Sequence, residues 1–322
     1  MTSNLEGSTL LDQVFHAIEH DDIVLPTLPG VAVKIQEMLD DPNVSADQIV
    51  SVLSSDPFIS AQIIKSANSA AFAGRPPVDR VREAATRLGY RQLRNIVINI
   101  TMSKMLYSNN HVINQHLKEV WKRSREVAVI SYIIASRQPH LSPDQAMLAG
   151  LIHNIGVLPL CQYIEKDNIR VTDDELASIV LQCSILIGTK LLKKWNFPQD
   201  IIEAVAESVD IQRESSLGSL PDYADVVTFA KLQDRQKAKF FAWNSVAAVK
   251  RLGLNEIECA LFLEHNAAHI EEVEGLLGIN PSAKPVKNNS PNPITQSPEH
   301  QPEIQPKIKR KGFLSYLLGL WK

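Results

Sequence analysis

Cysteine is scarce in this chain, and long apolar runs are missing. Three cysteines, Cys161, Cys183 and Cys259, are spread over 322 residues without a CxxC pair. This spacing argues against a disulfide scaffold or a cysteine zinc site, and it fits a reducing cytoplasm. No uninterrupted apolar stretch approaches the roughly 20 residues that cross a bilayer, so no spanning helix is predicted. Residues 1–10 carry no Lys or Arg ahead of an apolar run, so no signal peptide is predicted either.

A strong charge of either sign is also missing. The chain has 33 Lys and Arg against 36 Asp and Glu, a formal net charge of -3. This balance argues against a polycation that binds by bulk charge, so nucleic acid is not an expected partner. The sequence has no nucleophile elbow, phosphate-binding loop or dinucleotide-binding glycine motif. Cys161 and Cys183 lie in apolar runs, where cysteines are usually core residues.

Helical periodicity is the main positive signal. From residue 10 to about 278 the apolar residues recur at three- and four-residue spacing, which predicts an all-α fold of roughly twelve helices. Gly89 is predicted to allow a sharp turn between two helices, and Gly253 to end one. Helix starts are marked by short polar and proline pairs: Ser45 with Gln48, Thr172 with Glu175, Asp56-Pro57, Ser142-Pro143 and Asn255 with Glu258.

The composition changes after Ile279. Residues 280–306 contain seven prolines and no aromatic residue, which predicts a disordered linker. Residues 307–322, here called the C-terminal tail, have no acid and are predicted to form a short basic amphipathic helix. Its cationic and bulky apolar residues are Lys307, Lys309, Arg310, Lys311, Phe313, Leu314, Tyr316, Leu317, Leu318, Leu320 and Trp321.

Five stretches in order resemble the HDOD domain, a non-catalytic relative of the HD metal-dependent phosphohydrolases found in bacterial signalling proteins. They lie at Leu25–Pro29 (LPTLP), Ser55–Ser69, Ala84–Gly89, Ala149–Gly156 and Gly188–Pro198, and the resemblance covers about residues 22–232. Taken by themselves, the prolines, glycines and short polar residues of these stretches are read mainly as helix boundaries.

The resemblance implies a position for a metal centre, and this chain departs from the required chemistry there. HD phosphohydrolases hold metal ions with His and Asp ligands. The matching positions here are Arg123, His153, Asn154 and Lys231, which we call the degenerate centre. An amide does not offset a cation's charge, and a lysine repels it. The prediction is therefore no metal, no cofactor and no catalysis, with His153 as a core histidine hydrogen-bonded to a helix neighbour or a carbonyl. The alternative is a residual metal-dependent phosphohydrolase or phosphodiesterase.

Two segments are candidate contact surfaces. Arg80, Arg87, Arg91 and Arg94, here called the arginine stripe, would share a face if their helix were continuous, and would then bind an anion or a partner. The competing interpretation is a solvated face interrupted at Gly89. The tail is too short to span a bilayer but suits an anionic membrane surface. The alternatives are that the tail docks on a partner protein, folds back onto its own domain, or has no role.

The predicted organisation has five parts. They are an N-terminal helix (1–21), an HDOD-like domain (22–232), C-terminal helices packed on that domain (233–279), the linker (280–306) and the tail (307–322). The domain is divided into an N-terminal helical lobe (22–110) and a degenerate HD-like lobe (111–232). The resemblance implies a regulatory module in the cytoplasm whose partner is a signalling protein or a component of a cyclic-dinucleotide network. The tail adds a peripheral contact at the inner face of the membrane.

Overall fold

A computed structural model describes residues 10–41, 43–72, 74–214, 219–233 and 238–279, and all regular structure in these ranges is helical. The predicted all-α class is confirmed. The linker and the tail lie outside the described residues.

The N-terminal part contains six helices, and its predicted caps are present. Ser45 and Gln48 form a capping box. The Asp56 carboxylate accepts from the main-chain N–H groups of Phe58 and Ile59. Gly89 has a positive φ of 78°, which interrupts the helical conformation between the fifth and sixth helices. The helices are α1 (Leu10–Glu19), α2 (Gly30–Asp40), α3 (Ala46–Ser54), α4 (Pro57–Ala67), α5 (Val81–Leu88) and α6 (Tyr90–Met105).

The middle of the chain forms six more helices around the longest one. Thr172 and Glu175 form the predicted capping box. Ser142 precedes its helix as predicted, but the expected side-chain cap was wrong, because its hydroxyl accepts instead from Arg91 Nη1 at 3.2 Å. The helices are α7 (His111–Ala135), α8 (Pro143–Ile152), α9 (Val157–Lys166), α10 (Asp173–Lys194), α11 (Gln199–Glu207) and α12 (Tyr223–Leu232).

Short helices complete the C-terminal part. Gly253 has a positive φ of 71°, and Asn255 with Glu258 forms a capping box, both as predicted. The helices are α13 (Ala247–Arg251), α14 (Glu256–Ala260), α15 (Phe262–His265) and α16 (Ala267–Leu276). Single 3-10 turns occupy Ala70–Phe72, Ala238–Phe240 and Trp243–Ser245.

The end of α16 joins the C-terminal part to the N-terminal helices. Gln92 Nε2 donates to the main-chain oxygen of Leu276 at 2.8 Å, and Asn99 Nδ2 donates to that of Leu277 at 2.9 Å. Both donors lie on α6, and Gly275 packs against Ser69 at the end of α4. The last described residues are therefore held on α4 and α6 by hydrogen bonds that a one-dimensional pattern does not reveal.

Two glycines allow close backbone contacts around α8, the helix that ends directly before His153 of the degenerate centre. A Cβ at Gly150 would lie 2.7 Å from the Cα of Ala128, so α8 lies directly on the backbone of α7. A Cβ at Gly156 would lie 1.8 Å from the main-chain oxygen of Ser184, so the chain between α8 and α9 touches the backbone of α10. Such approaches require residues without a side chain.

Two helical segments are long and apolar enough to cross a membrane by length and composition. They are Pro143–Lys166, which contains α8 and α9, and Asp173–Lys194, which is α10. The expectation of no such segment was too strict, because an average over a window tolerates scattered polar residues. In the fold, 89% of the first apolar window and 50% of the second are buried within the protein. Both segments thus contribute to the helical core.

Candidate functional site

Helices α7, α8 and α12 bring the degenerate centre together. Arg123 on α7 donates from Nη2 to the main-chain oxygens of Lys231 at 3.0 Å and Gln233 at 2.6 Å. These carbonyls lie at the C-terminal end of α12, where the last turn of a helix leaves acceptors without intrahelical partners. The guanidinium therefore fastens α7 to α12 at the position where the family resemblance predicted a metal ligand.

His153 is buried and neutral. Its Nδ1 lies 2.7 Å from the main-chain oxygen of Gly150, and because a carbonyl only accepts, Nδ1 carries the proton. Burial lowers the pKa of His153 to about 3, and the charges of Lys231 and Arg123 add to this effect. Those two charges lie close enough to His153 to act on it, so the histidine shares its surroundings with two cations.

Lys231 on α12 contacts Ser208, which follows α11. Its Nζ is 3.3 Å from the main-chain oxygen of Ser208 and 3.4 Å from the Ser208 hydroxyl oxygen. Burial, together with a smaller effect of the nearby charge of Arg123, lowers the pKa of Lys231 to about 8. A carboxylate beside Lys231 would raise its pKa, whereas the charge that acts on it is the positive charge of Arg123.

Asn154 follows His153 in the turn between α8 and α9. It is buried, and its main-chain oxygen accepts from the N–H of Val157 at 3.0 Å. The residue thus contributes to the turn, while its side chain offers a neutral amide where a carboxylate would be needed to balance a metal charge.

The donor set of the degenerate centre does not fit a metal ion. Two cationic groups and one amide occupy the positions of anionic or imidazole ligands, and a divalent cation placed among them would be repelled. Among the described residues, no group of three or more His, Cys, Asp or Glu side chains is arranged to hold a metal. We therefore derive no reaction step through a metal.

The family follows from comparison with known proteins. A family model described as the HDOD domain matches residues 25–211. The chain belongs to the HDOD family. The resemblance predicted from the five stretches is thereby confirmed. Helix α12 lies beyond the matched range, so the position of Lys231 in the degenerate centre of this HDOD protein is established by its contacts.

Several bacterial proteins resemble this HDOD chain. A Shewanella amazonensis SB2B protein, provisionally named a metal-dependent phosphohydrolase, is 28% identical with a TM-score of 0.64, over 82% of this chain and 97% of its own. An HDOD domain protein of unknown function from Geobacter sulfurreducens shares the fold at 20% identity and a TM-score of 0.57, over 85% and 99%. An uncharacterized protein from Treponema pallidum (strain Nichols) is 26% identical over 202 residues, which cover 58% of this chain and 37% of that protein.

The structure does not bring the arginine stripe into one exposed face. Arg80 precedes α5 and is exposed, whereas Arg94 is buried at 6% exposure and donates to Gln145 Oε1 at 2.8 Å. Arg91 bonds Ser142, as described above. Burial raises the pKa of the neighbouring Asp144, and the charges of Arg91 and Arg94 counteract this effect. Two members of the stripe therefore face the start of α8.

Arg87 closes a loop of the HDOD N-terminal region. Its Nη1 donates to the main-chain oxygen of Ala67 at 3.1 Å, and its Nη2 donates to that of Pro76 at 2.6 Å. Asn68 holds the same loop, because its side chain donates to the oxygen of Val78 and accepts from the N–H of Val78. A role of the stripe in anion or partner binding stays a prediction.

Sequence reasoning missed a buried ionic network beside the degenerate centre. Asp225 on α12 is 1% exposed and is bonded by Arg213 and Arg251. Arg213 also pairs with Asp222 and Glu207. The Asp222-x-x-Asp225 spacing was a visible capping signal, but the two arginines come from the loop after α11 and from α13. Their convergence on one carboxylate has no sequence signature.

Proposed function

We propose that this chain is a non-catalytic regulatory module that acts by binding a partner. The observation that carries the proposal is the pair of cations, Arg123 and Lys231, at the degenerate centre. HD-type hydrolysis depends on bound metal to activate water and to neutralise phosphate charge. A guanidinium and an ammonium provide positive charge but no coordination site at which water is deprotonated.

His153 does not restore catalysis. A general base works best with a pKa near the operating pH and within reach of the proton it removes. The pKa of His153 lies near 3, and its protonated Nδ1 is already bonded to Gly150. The competing function, a residual phosphohydrolase, is suggested by the provisional name of the Shewanella relative. It would need ligands from residues other than those of the degenerate centre.

The partner of the helical part of the chain, residues 10–279, is proposed to be a signalling protein or a component of a cyclic-dinucleotide network in the cytoplasm. The tail is proposed to add a contact, on the partner or at an anionic membrane surface. Each Lys or Arg near such a surface contributes about 1 kcal/mol, and the acid-free tail concentrates several of them. The attachment is expected to be reversible, because the apolar part of the tail is short.

Crosslinking pulldowns test which part selects the partner. Three chains are compared: the full sequence, a chain ending at Pro306 that keeps the linker, and a chain ending at Ile279. If the helical part, residues 10–279, selects the partner, all three chains capture it. Loss of residues 307–322 then only moves the protein from a membrane fraction to the free soluble pool. Capture by the full chain alone would assign selection to the tail. Failure of the full chain to capture any specific partner would contradict the binding-module proposal.

A further inference from the structure

The degenerate centre carries positive charge that its own hydrogen bonds do not neutralise. Among the described residues, the carboxylate paired with Arg123 is Glu126, at 2.9 Å, and no carboxylate is paired with Lys231. Ser208 supplies a carbonyl and a hydroxyl to Lys231, and both are neutral. Two cations and one carboxylate, which is paired with Arg123, leave a net positive charge.

The two cations are held in place rather than free to swing. The Arg123 guanidinium is fixed by main-chain oxygens at the end of α12, and Lys231 is fixed by Ser208 after α11. Fixed donors bind an anion at a lower entropic cost than mobile surface lysines do. His153, on which both charges act, and the adjacent Asn154 are buried.

Both residues also keep part of their surface exposed to solvent. The Arg123 side chain retains 25% of its exposure, and Lys231 is only partly buried. An ammonium has three N–H donors, and Ser208 provides two acceptors to it. A donor of Lys231 is therefore left for a ligand among the described contacts.

We infer that the degenerate centre binds a phosphoryl oxyanion, either free phosphate or a phosphate group of a larger molecule, between Arg123 and Lys231. The inference deepens the proposed function, on which it rests. Guanidinium and ammonium groups are the standard protein partners of phosphate oxygens. A phosphate held by these groups keeps its ester bond, because no bound hydroxide is generated beside it. The centre would thus sense a phosphorylated ligand without consuming it.

Isothermal titration of the full-length protein with inorganic phosphate tests the inference, at pH 7 and at an ionic strength kept constant with chloride. The variant Lys231→Met keeps the length of the side chain and removes its charge. Lys122→Met is the matched control, because this substitution removes the same charge and Lys122 is exposed on the same helix as Arg123. We expect saturable phosphate binding by the wild type and by Lys122→Met, and binding at least about tenfold weaker in Lys231→Met.

Several outcomes would overturn the inference. They are no phosphate binding beyond that of chloride, or equal losses in Lys231→Met and Lys122→Met. If Lys231→Met fails to fold, Lys231→Arg decides, since it keeps the charge and is expected to retain binding within about tenfold; loss of binding by folded Lys231→Arg overturns the inference. Titration with phosphate and with a phosphate monoester separates the free ion from a larger ligand as the source. Absence of phosphate binding leaves the proposed function intact. That proposal falls instead if the full chain captures no specific partner, or if the protein binds metal and turns over a phosphodiester.

Discussion

The Arg251 guanidinium donates two hydrogen bonds to the buried Asp225 carboxylate, from Nε to Oδ2 at 2.8 Å and from Nη2 to Oδ1 at 2.5 Å. Arg213 Nη2 reaches the same Oδ1 at 2.9 Å. Residues 213, 225 and 251 come from the loop after α11, from α12 and from α13. One carboxylate therefore holds together three segments around the helix that carries Lys231.

Removal of the Asp225 charge is predicted to destabilise the fold. Asp225→Asn leaves two largely buried arginines with less negative charge, and loss of one partner from a buried ion pair costs about 3 kcal/mol. Asp47→Asn is the matched control, because Asp47 pairs with Arg82 at the exposed surface, where a pair contributes about 0–1 kcal/mol. Urea unfolding measures both. Equal losses in the two variants would contradict the role given to Asp225.

Local sequence signals predicted the helix ends well, but they did not predict hydrogen bonds to residues far away in the sequence. The pairs Ser45 with Gln48 and Thr172 with Glu175 lie three residues apart, so spacing alone reveals the capping box. Ser142 had the same kind of signal, but Arg91 from another helix took its hydroxyl. A cap prediction of this kind fails when a tertiary partner competes for the same atom.

The close contact at Gly156 predicts intolerance of any side chain. Gly156→Ala would place a methyl group 1.8 Å from the Ser184 carbonyl oxygen, so α9 and α10 must move apart. The expected loss of stability is about 3 kcal/mol or more. Gly30→Ala is the control, since nothing lies within 4 Å of a Cβ there, and it should change stability by less than about 1 kcal/mol. A Gly156→Ala protein as stable as the wild type in urea would show that the helices are farther apart.

The arginine stripe is predicted to contain both scaffold and surface residues. Arg87→Ala removes the donors of two loop carbonyls, which is expected to cost about 1–3 kcal/mol. Arg80→Ala should stay within about 0.5 kcal/mol, because the side chain of Arg80 is 78% exposed. Thermal unfolding distinguishes them. If both variants unfold like the wild type, Arg87 has no structural role, and the original prediction of a binding face gains weight.

The burial of His153 predicts a particular dependence of stability on pH. Its folded pKa of about 3 lies below its ordinary value of about 6.5, so the unfolded chain binds the proton more readily between these values. The contribution of neutral His153 to the free energy of unfolding is complete above about pH 6.5. It is lost as the pH falls, by up to roughly 1.4 kcal/mol per pH unit. His153→Asn keeps a donor near the Gly150 oxygen and removes the titration. Urea unfolding between pH 7 and pH 5 should give a flatter curve for this variant; parallel curves would contradict the buried, neutral histidine.

The degenerate centre was only half visible in the sequence. The residue types at Arg123, Asn154 and Lys231 could be recognised from family motifs, and the structure brings the Arg123 guanidinium to the end of the helix that carries Lys231. What Arg123 does there could not be predicted, because its partners are main-chain oxygens more than a hundred residues away. Main-chain acceptors have no residue type, so a sequence gives no sign of them.

The metal content of the full-length protein tests the central claim most directly. The purified chain is incubated with excess Mn²⁺, passed through a desalting column, and its metal-to-protein ratio is measured by mass spectrometry. Two cations at the degenerate centre predict a ratio far below one, the same in the wild type and in His153→Ala. A ratio near one that is lost in His153→Ala would show that the centre still holds a metal and would contradict the non-catalytic assignment.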